Sequence, residues 1–297
     1  MTVAISHHYA DANGIRLHYA AAGSGPLVLF LHGFPEFWYA WWAQLAEFGR
    51  DRLAVAPDQR GHNLSDKPAG VDAYKAKHLI ADVRALALAL GRERFALVAH
   101  DWGGAIAWSF AIAHPEMLDK LVIVNAPHPI AFARELGGNP VHQRASSYMN
   151  LFRDAKAERV MSEDKYRRLA RMSVDAWNAG SDERRAYLEA WAQPGALSCM
   201  LNWYRASPFY PPTGNDLGAA RLKLDPRDFV VRVPTLVIWG MRDDFLLPSL
   251  LDGLDECVPD LRIERIPEGT HWVIHEQPER VNALIRAFLD PGGREAE

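Results

Sequence analysis

The sequence contains only two cysteines, Cys199 and Cys257, and they form no CxxC or metal-type spacing. This argues against a disulfide framework and favours a reducing compartment, so we expect a cytoplasmic protein. Long apolar runs are also missing, because LVLFLH, the longest near the start, is far too short to cross a bilayer. The first residues show no basic segment followed by an apolar run, so we expect no signal peptide and no membrane partner.

Concentrated charge of one sign is lacking as well. The 33 Lys and Arg residues are offset by 37 Asp and Glu residues, giving a formal net charge of -4 with no block of either sign. A nucleic-acid binder usually carries a basic patch or stripe, so we expect no nucleic-acid partner. No cluster of ligand side chains indicates a metal or a cofactor. With 297 residues and 49% hydrophobic residues, the chain is long enough for one large domain with an insertion, as a monomer or a homodimer.

Short apolar runs alternate with helical patterns in the first part of the chain. Asn13-Gly14 separates two extended runs and predicts a hairpin, because both turn residues must adopt positive φ. Leu79, Val83 and Leu86 recur at helical spacing. The apolar runs lack polar alternation, which is typical of parallel strands buried on both faces; they are residues 27–31, 53–56, 95–99 and 121–125. We therefore predict an α/β fold with a mostly parallel, doubly wound sheet.

The alternation stops near Pro127. Residues 133–224 show helices and loops but no convincing strand, with helix starts predicted at Ser162 and Ser181. The strand pattern resumes at residues 235–239 and 262–266, and a helix at residues 279–289 follows. We expect a discontinuous core domain, residues 1–132 and 225–297, with an inserted helical cap or lid domain at residues 133–224. The tail at residues 291–297 is predicted to be frayed.

The residues that carry chemistry follow the ends of the strands, where ligands bind in sheets of this kind. Asp101 has small residues two places before and after it, as a tight strand-to-helix turn with an exposed nucleophile requires. The serine form of this turn, G-x-S-x-G, occurs nowhere. An acid, Asp243 or Asp244, and then His271 complete the order nucleophile, acid, histidine. Asp101 alone would be read as a helix cap, but this order favours a nucleophile.

A carboxylate nucleophile restricts the reaction. It is ionised near neutral pH and can displace a group from a saturated carbon, which leaves an alkyl ester on the protein. His271 and its acid can then activate water against that ester. The backbone N–H groups of Phe34 and Trp102 are the predicted oxyanion hole. The side chains of Phe34, Trp38 and Trp102 are the predicted apolar substrate pocket. The sequence thus indicates an epoxide or an alkyl halide as substrate.

Six segments resemble the epoxide hydrolases of the α/β-hydrolase superfamily along nearly the whole chain: HGFPEFWYAW, DQRGHNLSDKP, HDWGG, NAPHP, WGMRD and GTHW. The resemblance implies an α/β-hydrolase fold that converts an epoxide and water to a diol without a cofactor. It also implies that Tyr148 and Tyr204, two cap tyrosines, bind the epoxide oxygen. The family pattern G-x-x-D selects Asp243 over Asp244. Asn63 departs from the pattern, which has glycine there.

Two alternatives remain from the sequence. Haloalkane dehalogenases share HDWG and the nucleophile, but they carry a donor side chain after the His-Gly motif, where this chain has Phe34. A non-catalytic binding protein on the same scaffold is the second alternative, because a fold alone does not prove activity. A serine esterase is excluded if Asp101 is the nucleophile. Phenols that donate to a developing alkoxide favour epoxide opening, since an alkoxide is a poor leaving group and a halide is not.

Overall fold

The computed structural model describes residues 3–290, and the predicted frayed tail lies outside the described residues. One sheet of eight strands runs through the molecule. The strands are β1 Ile5–Ala12, β2 Ile15–Ala22, β3 Leu27–Leu31, β4 Leu53–Pro57, β5 Phe95–His100, β6 Leu118–Val124, β7 Thr235–Gly240 and β8 Leu261–Ile266. Their spatial order is β1-β2-β4-β3-β5-β6-β7-β8.

Helices cover the sheet and fill the long connection between β6 and β7. The α-helices are α1 Trp42–Phe48, α2 Ala76–Ala89, α3 Asp101–Ala113, α4 Pro129–Gly138, α5 Pro140–Ala145, α6 Tyr148–Arg153, α7 Ala157–Met172, α8 Ser181–Trp191, α9 Ala196–Ala206, α10 Val273–Glu276 and α11 Pro278–Leu289. Short 3-10 turns lie at Trp38–Trp41, Val71–Tyr74, Pro115–Met117, Gly218–Arg221, Pro226–Phe229, Pro248–Leu251 and Leu254–Glu256.

The predicted hairpin and the predicted parallel sheet are confirmed. β1 and β2 pair antiparallel around Asn13 and Gly14, whose φ angles are 51° and 75°. β2 also runs antiparallel to β4, and every pairing from β4 across to β8 is parallel. The central strands β3, β5 and β7 are buried at every residue, which is why their sequences show no polar alternation. All parallel strands therefore point their carboxyl ends at one edge of the sheet.

Residues 133–224 contain helices and no strand, as the sequence predicts. α7 consists of two helical segments joined at a kink in residues 163–166, so the new helix predicted near Ser162 is present but starts after the kink rather than at Ser162. The Ser162 hydroxyl donates to the carbonyl oxygen of Arg159 instead of capping a new helix. The kink follows Ser162 directly, because the backbone of residues 163–166 is not helical. The helix start at Ser181 is confirmed as the first residue of α8.

Asn63 keeps the backbone conformation that glycine would supply. Its φ is 38°, in the left-handed region that asparagine tolerates better than most residues. Its side-chain amide donates to the buried carboxylate of Asp58 at 2.9 Å. The same carboxylate accepts the backbone N–H of Trp38, so this loop is tied to the strand ends beside it. The departure from the glycine pattern thus preserves the turn and adds a hydrogen bond.

Within residues 3–290, no helix is both long enough and apolar enough to span a bilayer. In the same part of the chain, no group of three or more His, Cys, Asp or Glu side chains is arranged to hold a metal ion.

Candidate active site

A tight turn joins β5 to α3 and carries Asp101 at the edge of the sheet. The φ of Asp101 is 50°, an uncommon value for a residue with a side chain. The neighbours must be glycines: a Cβ on Gly103 would come within 2.4 Å of the Leu31 carbonyl oxygen, and one on Gly33 within 2.4 Å of the Asp101 Cβ. The two glycines therefore let the chain at residues 31–33 pack closely against the turn at residues 101–103.

The Asp101 carboxylate has one backbone donor in place. The N–H of Phe34, in the loop after β3, donates to Asp101 Oδ1 at 2.7 Å. The N–H of Trp102 lies in the first turn of α3, and within the described residues it makes no hydrogen bond to this carboxylate. The Phe34 N–H thus contacts Asp101, and the oxyanion role of both N–H groups stays a prediction.

His271 lies between two carboxylates. Its Nδ1 is 2.7 Å from Asp243 Oδ2, and its Nε2 is 3.6 Å from Asp101 Oδ2. Asp243 follows β7 and His271 follows β8, so neighbouring strand ends bring the two together. His271 and Asp243 are both buried. The three residues that the sequence placed in the order nucleophile, acid, histidine form one continuous row.

The charges around His271 set its protonation. Burial alone lowers the pKa of an imidazole, but the charge and hydrogen bond of Asp243, followed by the charge of Asp101, raise the pKa of His271 to about 9. At neutral pH the resting site therefore holds an imidazolium between two carboxylates. The ring can act as a base only after one of those negative charges is removed.

Asp243 rather than Asp244 faces the histidine. The Asp243 carboxylate is buried, and its Oδ1 accepts the backbone N–H groups of Phe245 and Leu246, each at 2.8 Å. These bonds fix the orientation of the carboxylate. The side chain of Asp244 is exposed. The geometry agrees with the choice that the G-x-x-D pattern makes.

Tyr148 and Tyr204 lie beside Asp101 on separate helices. Tyr148 begins α6 and Tyr204 lies in α9, with ring centroids 6.3 Å apart. Both line the cavities that contain Asp101. Desolvation, reinforced by the charge of Asp101, raises the pKa of each phenol well above its ordinary value. Both hydroxyls therefore stay protonated at neutral pH and are able to donate hydrogen bonds beside the nucleophile.

Known proteins resemble the chain over almost its full length. Residues 26–278 match the family described as alpha/beta hydrolase fold. The AB hydrolase superfamily protein YfhM of Bacillus subtilis is 38% identical over 95% of this chain and 96% of its own. Epoxide hydrolase 4 of Mus musculus is 37% identical over 93% of this chain and 77% of its own. A solved epoxide hydrolase from Bacillus megaterium, a mutant form, is 37% identical, covers 95% of this chain and 100% of its own, and superposes with a TM-score of 0.88.

The chain belongs to the α/β-hydrolase family. The resemblance to epoxide hydrolases that the sequence motifs indicate is confirmed.

One residue of the predicted pocket lies apart from the site of this α/β-hydrolase. Trp38 packs with its ring 4.8 Å from that of His7 in β1 and 5.9 Å from that of Trp42. It lines neither cavity at Asp101, whereas the side chains of Phe34 and Trp102 do. Trp38 therefore lies outside both cavities at Asp101, and its part in substrate binding stays a prediction. The motif placed it near the strand end but could not show that its side chain turns toward the β1–β2 hairpin.

Asn125 is a residue of the hydrolase site that the sequence reasoning did not assign. It follows β6 with a φ of 40°, and its amide nitrogen donates to Asp243 Oδ2 at 2.7 Å. Its side-chain oxygen accepts the N–H of Gly240 at 2.8 Å. Asn125 thus joins the ends of β6 and β7 and fixes the oxygen that faces His271. The segment NAPHP after a strand was the available signal.

Glu36 is a second residue that was missed, although it belongs to the segment HGFPE. Its buried carboxylate lies 3.0 Å from His100 Nδ1 and 2.7 Å from His275 Nε2. These contacts outweigh the effect of burial and hold the pKa of Glu36 well below its usual value. His100 Nε2 lies 2.9 Å from the carbonyl oxygen of His271. One ring nitrogen of His100 thus faces Glu36 and the other faces the carbonyl oxygen of His271, so the ring links Glu36 to the backbone of His271.

Proposed function

We propose that this α/β-hydrolase is an epoxide hydrolase, which converts an epoxide and water to a vicinal diol through an ester on Asp101. The observation that carries the proposal is the pair of protonated phenols, Tyr148 and Tyr204, in the cavities of a carboxylate nucleophile. Two relatives whose alignments cover more than nine-tenths of this chain, each at 37% identity, bear the name epoxide hydrolase. Residues 133–224, which supply both tyrosines, are our proposed cap over the core.

In the first step, Asp101 attacks an epoxide carbon. An electron pair of the carboxylate forms the ester bond, the epoxide C–O bond breaks, and its electron pair goes to the ring oxygen. Tyr148 and Tyr204 donate hydrogen bonds to that oxygen as its charge develops. The Asp101 charge disappears in the ester, so the pKa of His271 falls. The imidazolium proton is then available to neutralise the alkoxide, by way of the tyrosines or solvent.

In the second step, neutral His271 takes a proton from a water molecule that attacks the ester carbonyl carbon. The N–H groups of Phe34 and Trp102 stabilise the resulting oxyanion. The tetrahedral intermediate collapses, the diol leaves with its second hydroxyl protonated, and Asp101 returns to a carboxylate. Asp243 keeps the His271 ring oriented in both of its protonation states. One water is consumed per epoxide, and His271 ends the cycle as the imidazolium with which it began.

Haloalkane dehalogenase is less well supported by the same site. A halide leaves as a stable anion and does not need two phenolic donors. It does need donors for the departing ion, and the side chain of Phe34, at the position beside the nucleophile, offers none. Trp102 could contribute one indole N–H. The geometry favours an oxygen leaving group.

The experiment is a single turnover in heavy-oxygen water with enzyme in excess over styrene oxide, and a chloroalkane in a parallel reaction. We expect the label in Asp101 and unlabelled oxygen in the diol, as read by mass spectrometry of the peptide and the product. Label entering the diol directly in the first turnover would contradict the covalent route. Chloride release that outpaces diol formation would favour the dehalogenase.

A further inference from the structure

The loop that carries the oxyanion donor is held from the side of the inserted helices. This loop, residues 33–36, contains the Phe34 N–H that donates to Asp101. Two side chains of α8, Tyr187 and Trp191, are buried against it, with 0% and 1% of their surface exposed. They are four residues apart and so lie on one face of the helix.

Trp191 bonds to the residue next to the donor. Its indole Nε1 donates to the carbonyl oxygen of Pro35 at 2.6 Å. Pro35 follows Phe34 directly, so this bond holds the chain two peptide units beyond the one that carries the Phe34 N–H. A buried carbonyl that loses its donor destabilises the folded protein. The bond from Trp191 therefore favours the loop position in which the Pro35 carbonyl reaches the indole.

Tyr187 bonds to the other end of the loop. Its hydroxyl donates to Glu36 Oε1 at 3.3 Å. The backbone N–H of Glu36 donates in turn to the carbonyl oxygen of Gly33 at 3.1 Å, which closes the loop into a turn. The Phe34 N–H thus lies inside a turn whose last two residues are both bound to α8.

We propose that Trp191 and Tyr187 are positioning residues, through which α8 holds the Phe34 N–H at the point where the oxyanion forms. The inference rests on the proposed ester mechanism. The two steps make different demands on this N–H. In the first step it only keeps a hydrogen bond to an existing carboxylate, whereas in the second it must stabilise a full charge that develops on one oxygen. Misplacing it therefore slows ester hydrolysis more than ester formation.

The test is Trp191→Phe, which keeps most of the ring and removes the indole N–H. Trp203→Phe is the matched control, because Trp203 is equally buried and its Nε1 donates from α9 to the carbonyl oxygen of Arg60 at 3.1 Å, outside the oxyanion loop. Stopped-flow fluorescence and quenched mass spectrometry with styrene oxide give the rates of ester formation and ester hydrolysis separately.

In Trp191→Phe we expect ester hydrolysis to slow roughly 10- to 100-fold, less than the 100- to 1000-fold for deleting a donor, and the ester to accumulate. Ester formation should stay within about threefold. In Trp203→Phe the ratio of the two rates should change less than about threefold. Tyr187→Phe removes a single hydroxyl and should also slow ester hydrolysis more than ester formation, but by a smaller factor. It replaces Trp191→Phe as the test if that variant does not fold.

Two outcomes overturn the inference: both steps slowing equally in the α8 variants, or the control changing the ratio as much as Trp191→Phe does. Failure of the proposed function is recognised separately, because the unmodified protein would then form no ester at all.

Discussion

The charge of Asp101 should control the protonation of His271, and this can be tested by replacing the carboxylate with an amide. Asp101→Asn keeps the shape of the side chain, and asparagine tolerates the left-handed backbone of this position. The ring nitrogen and the carboxylate oxygen are 3.6 Å apart. At an effective dielectric constant of about 20, two unit charges at that distance attract by about 4–5 kcal/mol.

Because each 1.36 kcal/mol is a factor of ten, that attraction would raise the proton affinity of His271 by roughly one thousandfold to five thousandfold. Its removal should bring the pKa of His271 down from about 9 toward the ordinary range of a histidine. The same change occurs in the cycle when Asp101 becomes an ester. The amide variant is therefore a stable stand-in for the charge state of the alkylated enzyme.

The assay is nitrogen NMR of labelled histidine over a pH series. At pH 7.5 the His271 ring should carry both protons in the unmodified protein and one proton in Asp101→Asn. Asp244→Asn is the matched control, because this exposed carboxylate makes no contact with His271, and the titration should not change. A ring that stays doubly protonated to pH 8 in Asp101→Asn, or that is already neutral at pH 7 in the unmodified protein, would refute the reasoning.

Three further predictions concern the separate steps. His271→Gln should still form the ester but not hydrolyse it, so intact mass spectrometry should show one substrate added; a folded variant that stays unmodified would assign His271 another role. Tyr148→Phe and Tyr204→Phe should each slow ester formation about 10- to 1000-fold, as for loss of one transition-state donor, and undiminished opening in the double variant would count against the pair. Asn125→Gly removes one donor from Asp243 Oδ2, so it should slow ester hydrolysis about tenfold and change ester formation by less than about threefold. Single-turnover kinetics measure both rates, and an unchanged ratio would exclude a role of Asn125 in orienting Asp243.

The sequence predicted the sheet and the row of three site residues because both depend on local signals. The strands are apolar throughout, and Asp101, Asp243 and His271 each follow a strand directly, so the parallel topology brings them to one edge. A motif shows the position of Trp38 but not the direction of its side chain, so its place beside the β1–β2 hairpin could not be predicted. The new helix expected at Ser162 starts after the kink at residues 163–166, because a polar residue before two acids also occurs at such a break.

Asn125 and Glu36 could not be assigned from the sequence for a different reason. Their roles come from partners far away in the chain: Asn125 bonds to Asp243, and Glu36 lies beside His100 and His275. Spacing along the sequence carries no information about such contacts until the fold is known. Each residue was nevertheless inside a quoted segment, NAPHP or HGFPE, so the positions were marked even though their functions were not.

The imidazolium between Asp243 and Asp101 also contributes to the stability of the folded protein, so this stability should change during the catalytic cycle. A folded-state pKa of about 9, above the value of 6.5 for a free histidine, means that protonated His271 stabilises the native state. This stabilisation is fully present below pH 6.5 and is lost as the pH rises through about 9. It is also lost whenever Asp101 is esterified, since the ring then gives up its proton. The contribution of His271 to heat resistance should therefore be largest in the resting enzyme below pH 6.5, and it should be absent while Asp101 carries the ester.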